Sequence, residues 1–255
     1  MRRSARILVV FLLIASALFI TGRVMIRRDN SSRLVRAESL IREVQQLQVD
    51  VSDAAAASAI ATKYGNAPPN PSTGNVYPNE NCAAKNHLEE CSYILALNNN
   101  PILYRWLRNP SMRVFRVEDW WGYVTVSVKD RKVSQYSYWL WFRSADEEWR
   151  GISGRQAANL PFSRNNRRIS NSYDVDYNFR TGMLETSFTP TASDSEQRRA
   201  THLELSCIGR SPYCKDACQV MPDASRDFFQ KVSTFNVPNA YSEKSLRTLC
   251  NTPPN

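Results

Sequence analysis

The sequence predicts an α+β domain on an N-terminal membrane helix. Amphipathic helices should pack on a mostly antiparallel sheet of about five strands, closed by disulfide-pinned C-terminal helices. Three observations predict this fold class. Residues 7–22, ILVVFLLIASALFITG, form an uninterrupted apolar run, with Arg2, Arg3 and Arg6 before it and Arg23, Arg27 and Arg28 after it. Helical periodicity holds as far as Tyr64 and then gives way to period-2 alternation, which recurs between residues 91 and 188. Six cysteines, an even number without metal-type spacing, bracket that strand-rich stretch.

The apolar run is read as a retained anchor. Sixteen helical residues span only about 24 Å of a roughly 30 Å hydrocarbon core. Extension to Ile26 gives residues 7–26, with Arg23 snorkelling to an interface. The rival is a cleaved signal peptide with Ala15-Ser16-Ala17 as its processing site. Leu18, Phe19 and Ile20 continue the apolar run past that site, which favours retention. Orientation is argued both ways. The arginines after the run mildly favour a cytosolic domain. The short basic N-terminus and the paired cysteine count favour an extracytoplasmic one, and the inner membrane with an exported domain is the expectation. All 24 acidic residues follow residue 28, leaving 27 basic residues there and a net charge of +3. The high pI therefore speaks of lipid headgroups, and nucleic acid is not expected as a partner.

The chain divides into the anchor with its basic flanks (1–28), juxtamembrane helices (29–64), a Pro/Asn/Gly-rich loop (65–81) and an α+β extracytoplasmic domain (82–255). After Ser31 and Ser32 as N-caps, Leu34, Ala37, Ile41, Val44 and Val51 recur at near-helical spacing, widened by Leu40 and Leu47. The helix should end near residue 48. Its stripe packs on its own domain or, over residues 33–48, pairs with a second copy. Asp50 or Ser52 can cap a second helix, Asp53 to Tyr64, with Gly65 at its C′ position.

Cys91 to Leu97 and Val114 to Glu118 read as the first two strands. Gly122 to Val128 and Val133 to Phe142 form the clearest hairpin, turning at Lys129-Asp130-Arg131-Lys132. Tyr136, Tyr138, Leu140 and Phe142 share one face of its second strand, with Trp139 and Trp141 on the other. Residues 144–171 read as a long polar loop carrying Arg164, Arg167 and Arg168. Strands follow at Tyr173 to Phe179 and Met183 to Phe188. Ser193 and Glu196 form a capping box for a helix from about Asp194 to Ile208. Short helices are expected near Tyr213 to Val220 and Ser242 to Cys250.

Fifteen disulfide pairings are open for Cys82, Cys91, Cys207, Cys214, Cys218 and Cys250. The simplest joins Cys82 to Cys91, Cys207 to Cys214 and Cys218 to Cys250. The closest thiol spacing, Cys214-x-x-x-Cys218, is not the C-x-x-C of a thioredoxin-like site. On a helix those two thiols would share a face, which also suits a metal, but the chain has just His87 and His202 and neither has zinc-type spacing to a cysteine pair. No metal or cofactor is expected. There is no G-x-S-x-G elbow, no Walker loop and no dinucleotide fingerprint. Asp174 and Asp176 share a strand face and are the best carboxylates for hydrolytic chemistry, though they read first as the polar side of a half-solvated strand. Trp120, Trp121, Trp139 and Trp141 are the candidate binding residues. Buried, they are core; exposed, they would stack on sugar rings or meet a protein partner.

Taken in order, the anchor, the segment LIREVQQLQVDVSDAAAASAIATKYG, the Cys82-x(8)-Cys91 spacing, Trp106-Leu107 before a hairpin, and SEQRRATHLELSC followed by Cys214 resemble an uncharacterised family of bacterial single-pass membrane-anchored proteins. The resemblance covers most of residues 35–220. It implies that the first two cysteine pairs belong to the family pattern and that Cys218 and Cys250 are an addition. Residues 47–65 also resemble the helix-opening motif of small lipoproteins of the outer-membrane β-barrel assembly machinery, with Asp50 where those have glycine. That likeness implies helices preceding a sheet and carries no functional residue across. The expected function is a non-enzymatic envelope module for a protein or cell-wall partner, the alternative an extracytoplasmic hydrolase or thiol oxidoreductase.

Overall fold

The computed structural model describes residues 2–65, 82, 90–97, 120–143, 149–160, 168–178, 181–208, 214–234 and 249–250. The loop at 66–81, the strand expected at Val114 to Glu118, Trp106-Leu107, His87, Arg164 and Arg167, and most of the helix expected at Ser242 to Cys250 lie outside these residues.

Helix α1 runs without interruption from Arg2 to Gln45. Ser31 and Ser32, expected as caps, lie inside it, because no Gly or Pro between Arg23 and Gln45 breaks the pattern. Its two halves differ. Phe11, Leu13, Leu18 and Ile20 are each more than 60% exposed, whereas Leu34, Ala37, Leu40, Ile41 and Val44 are buried. The second stripe packs inside its own chain. Among the described residues, no helix is long and apolar enough to cross a membrane.

Helix α2 (Ala54–Tyr64) starts at Asp53, whose side chain accepts from the Ala56 N–H, so the cap is neither Asp50 nor Ser52. Asp50 instead takes a positive φ of 64° in the reversal between the helices. The two helices are clamped at Glu43, whose carboxylate accepts from Lys63 Nζ and from the Tyr64 hydroxyl at 2.8 Å. The Lys63 ammonium, more than the Tyr64 hydroxyl, holds the Glu43 carboxyl below its usual range.

Six strands form one sheet: β1 (Cys91–Ala96), β2 (Trp120–Lys129), β3 (Lys132–Arg143), β4 (Trp149–Ala157), β5 (Tyr173–Asn178) and β6 (Met183–Phe188). Their spatial order is β1-β2-β3-β4-β6-β5, antiparallel except where β4 meets β6. The β2–β3 hairpin turns at Asp130 and Arg131 with φ of 50° and 63°, the two positive values of a type I′ turn. The reversal between α1 and α2 docks onto it, with Asp50 N–H donating to Val133 O and Ala54 N–H to Arg131 O, both at 2.8 Å.

Strand β4 corrects the expected loop at 144–171. Its sequence, WRGISGRQA, shows little β propensity, yet it lies between β3 and β6. Its glycines explain both facts. A Cβ on Gly154 would lie 2.3 Å from the Tyr138 ring, and one on Gly151 would lie 3.0 Å from the Trp141 ring. The strand is glycine-bearing because β3 lays an aromatic ring over it on each face.

The C-terminal helices are α3 (Asp194–Thr201), α4 (Ala217–Val220) and α5 (Pro222–Thr234), with a 3₁₀ turn at Leu205–Cys207. The Ser193–Glu196 capping box is present, but α3 stops at Thr201 instead of reaching Ile208. There the Glu204 N–H turns to the Val220 carbonyl, at 2.9 Å, which draws the chain out of the helix. Helix α5 is an addition to the expected elements. Pro222 opens it, and Ala224, Phe228 and Lys231 make its buried stripe. The disulfides join Cys82 to Cys91, Cys207 to Cys214 and Cys218 to Cys250.

The helices cover one face of the sheet. There Tyr93, Leu95, Val124, Val126, Tyr136, Tyr138, Leu140, Phe142, Ile152, Val175, Tyr177 and Leu184 make a continuous core. The hydroxyls of Tyr138 and Thr186 both donate to Ala200 O of α3, at 3.3 and 3.0 Å. Phe228 of α5 meets the Tyr177 ring edge-on at 6.2 Å.

Candidate functional site

The face opposite the helices is where aromatic side chains are exposed on the sheet. Alternation along β2 assigns Trp120, Gly122, Val124, Val126 and Val128 to the core face, and Trp121, Tyr123, Thr125 and Ser127 to the other. Strand register then brings Trp121 opposite Trp141 and Tyr123 opposite Trp139. Both pairs stack, with ring centroids 5.9 Å apart at 15° and 4.9 Å apart at 29°. Trp141 faces Gly151 of β4, and Trp149 lies two residues along β4 on the same side. Five aromatics thus meet at one corner of the sheet. Trp121 is 44% exposed and Trp149 41%; Tyr123, Trp139 and Trp141 are half-buried against their partners.

Of the four tryptophans singled out from sequence, three belong to this corner. Trp120 does not: it is 1% exposed and part of the core. Carrying the Val124-Val126-Val128 alternation back through Gly122 separates it from Trp121. Tyr123 was legible by the same step. Trp149 was not, because it opens the strand that reads as a loop.

The aromatic rows continue into polar ones. The Tyr123–Trp139 row runs through Ser153 to Glu185 and Asp176. The Trp121–Trp141 row runs through Gly151 and Met183 to Asn178. Asn178 Nδ2 donates to Glu185 Oε1 at 3.4 Å. The next row sets Thr125, Ser137, Arg155, Ser187 and Asp174 across the sheet. Arg155 donates to Gln135 Oε1.

The expected chemical candidates are otherwise engaged. Asp174 accepts from Lys231 Nζ at 2.8 Å, the two side chains being 8% and 5% exposed. Burial pushes its carboxyl above the usual range despite that ammonium, and the Asp176 charge adds to the push. Asp176 Oδ1 accepts from the Tyr177 N–H. Cys214 and Cys218 belong to two different disulfides, so they do not form a dithiol pair. A groove of about 370 Å³ lies beside α5, lined by Ile169, Arg199, Asp227, Gln230, Lys231 and Thr234. Its charges are paired: Arg199 Nε donates to Asp227 at 2.8 Å, and its guanidinium stands 5.7 Å from the Tyr173 ring centre. Among the described residues, no group of three or more His, Cys, Asp or Glu could hold a metal ion.

His202, at the end of α3, sits between two carboxylates. Its Nδ1 is 2.7 Å from Asp223 of α5, and its Nε2 is 3.2 Å from Glu204. A neutral imidazole has one donor and one acceptor, so only the imidazolium satisfies both carboxylates. Asp223 leads in raising the pKa, burial opposes it, and Glu204 adds to the rise. A folded-state pKa above the unfolded one gives stability that is fully present below the unfolded pKa. That stability is lost as pH rises through the folded pKa. The melting temperature of His202→Gln is therefore expected to trail the parent more at about pH 5.5 than at about pH 8.5. An equal or reversed gap contradicts the clasp.

A tie of the opposite sign joins Glu196 to the start of β5. Its carboxylate accepts from Ser170 Oγ at 2.6 Å, the Ser193 N–H at 2.8 Å and Ser172 Oγ at 3.2 Å. The Ser170 hydroxyl leads in pulling its pKa down to about 2.

Comparison with protein-family models, with curated proteins and with solved structures finds no match.

Proposed function

We propose that this chain is a membrane-tethered, extracytoplasmic binding module without catalytic activity, and that the aromatic corner of its sheet receives the partner, a protein or a cell-wall polymer. One observation carries the reading: five aromatic side chains share one corner of the sheet face opposite the helical layer, away from the edge strand where Lys231 of α5 reaches that face at Asp174. Two of them keep more than two-fifths of their surface exposed. Aromatic side chains in sheets ordinarily go to the core, and this sheet already has one on its other face. The tether is supported by the helical apolar run with its exposed side chains and by arginines at both ends. Residence outside the cytosol is supported by the three disulfides. A hydrolase is less well supported, because Asp174 is committed to Lys231 and Asp176 accepts from the Tyr177 N–H.

Deletion of residues 7–22 tests the tether. The full chain should stay with bacterial membranes through an alkaline carbonate wash and leave only with detergent, while the deletion variant should be released as soluble protein. A full chain that washes off in carbonate contradicts the tether.

A further inference from the structure

Resting on the reading of this face as the binding surface, we infer that its ligand is a neutral polysaccharide strand whose sugar rings lie flat on the Trp121–Trp141 and Tyr123–Trp139 pairs. Three features of the face select that chemistry.

The first is shape. Gly151 lets the Trp141 ring settle against β4, since a Cβ there would stand 3.0 Å from two of its ring carbons. Trp121 then stacks on Trp141 at only 15° from parallel. The result is a shallow platform of rings. Flat, C–H-lined faces of sugars match such a platform; a protruding side chain would need a pocket.

The second is charge. Asp176 and Glu185 lie on this face by strand register, beyond the aromatic rows, whereas Asp174 on the same face is buried and neutralised by Lys231. Carboxylates there repel phosphate, sulfate and uronate groups, which disfavours nucleic acid, lipid headgroups and acidic polymers. They accept hydrogen bonds from sugar hydroxyls, and Asn178 and Arg155 on the same face supply donors.

The third is extent. Among the described residues of this face, only Trp121 and Trp149 are exposed large hydrophobics. Beyond the aromatics stand the part-exposed Thr125, Ser127 and Ser187. A stable protein interface buries about 800 Å² per partner around an apolar centre. Two exposed rings set among hydroxyls and amides fall short of that and suit a ligand that is itself half hydroxyl.

The test uses the full chain in detergent micelles, titrated calorimetrically with chitohexaose, cellohexaose and, as an anionic control, heparin. Expected is saturable binding of at least one neutral hexasaccharide and none of heparin. Binding should weaken about 10- to 100-fold in Trp121→Ala and in Trp149→Ala, with unchanged melting temperatures. Failure of both neutral sugars to bind, or binding indifferent to both substitutions, overturns the inference. A photo-crosslinker at position 121 separates this failure from that of the underlying reading. Crosslinking to a defined protein with no sugar bound overturns the polysaccharide and keeps the face as the binding surface. Neither sugar binding nor any crosslink at position 121 overturns both.

Discussion

Lys231→Met is expected to destabilise the protein by about 3–5 kcal/mol, the usual cost of stranding a buried charge. The ammonium of Lys231 reaches from α5 to β5, donating to Asp174 Oδ1 at 2.8 Å and to Val175 O at 2.7 Å. Both side chains of the pair are more than nine-tenths buried. Removing the ammonium leaves a carboxylate in low dielectric beside Asp176, with a backbone carbonyl unpartnered as well. Burial already raises the Asp174 carboxyl, and the variant should raise it further. A raised carboxylate pKa contributes stability that is lost as pH rises through it. The deficit in urea unfolding should therefore be larger at about pH 8 than at about pH 4. Asp174→Leu combined with Lys231→Met should recover most of the loss, because an apolar pair of similar volume removes the stranded charge. A single-variant cost below about 1 kcal/mol would place the pair among surface-like ion pairs and contradict this account.

Gly122→Ala is expected to cost about 3 kcal/mol or more, at the upper end of overpacking effects. The added Cβ would lie 2.3 Å from Trp139 O, 2.8 Å from Leu97 Cδ1 and 3.1 Å from Leu140 Cα. Two of these atoms are backbone of the paired strand and cannot rotate away. Relief requires β2 and β3 to part beside the Tyr123–Trp139 row. The variant should therefore lose thermal stability and the near-ultraviolet dichroism of the stacked aromatics together. Unchanged stability would mean that the strands are not paired in the register described, Gly122 against Leu140.

Much of the fold was legible because its signals are local. The β2–β3 hairpin, β5, β6, the Ser193–Glu196 capping box and α2 each announce themselves within about ten residues, through alternation or a cap. Strand β4 did not, because its residues answer to neighbours far away in sequence: Gly151 to Trp141 and Gly154 to Tyr138. A glycine placed for another strand's ring reads locally as a loop. Helix α5 carried its signals, Pro222 and the Ala224-Phe228-Lys231 stripe, but a lysine in a buried stripe hides it. Only the carboxylate of Asp174, 57 residues away, makes that lysine apolar in effect. The end of α3 was missed for a similar reason, since Val220 draws the Glu204 N–H out of helical register. The candidate site divides along the same line. Trp121, Trp139 and Trp141 follow from alternation, whereas Trp149, Asn178, Glu185 and Arg155 join the face only through strand order, including one parallel pairing.

The claim that the folded body resides in an oxidising space outside the cytosol is tested most directly by the redox state of its thiols. Cells making the full chain are quenched in acid, and the protein is alkylated before and after reduction and weighed by mass spectrometry. The account predicts no alkylation before reduction and six labels after it, with peptides linked Cys82 to Cys91, Cys207 to Cys214 and Cys218 to Cys250. Six thiols alkylated without reduction would contradict it.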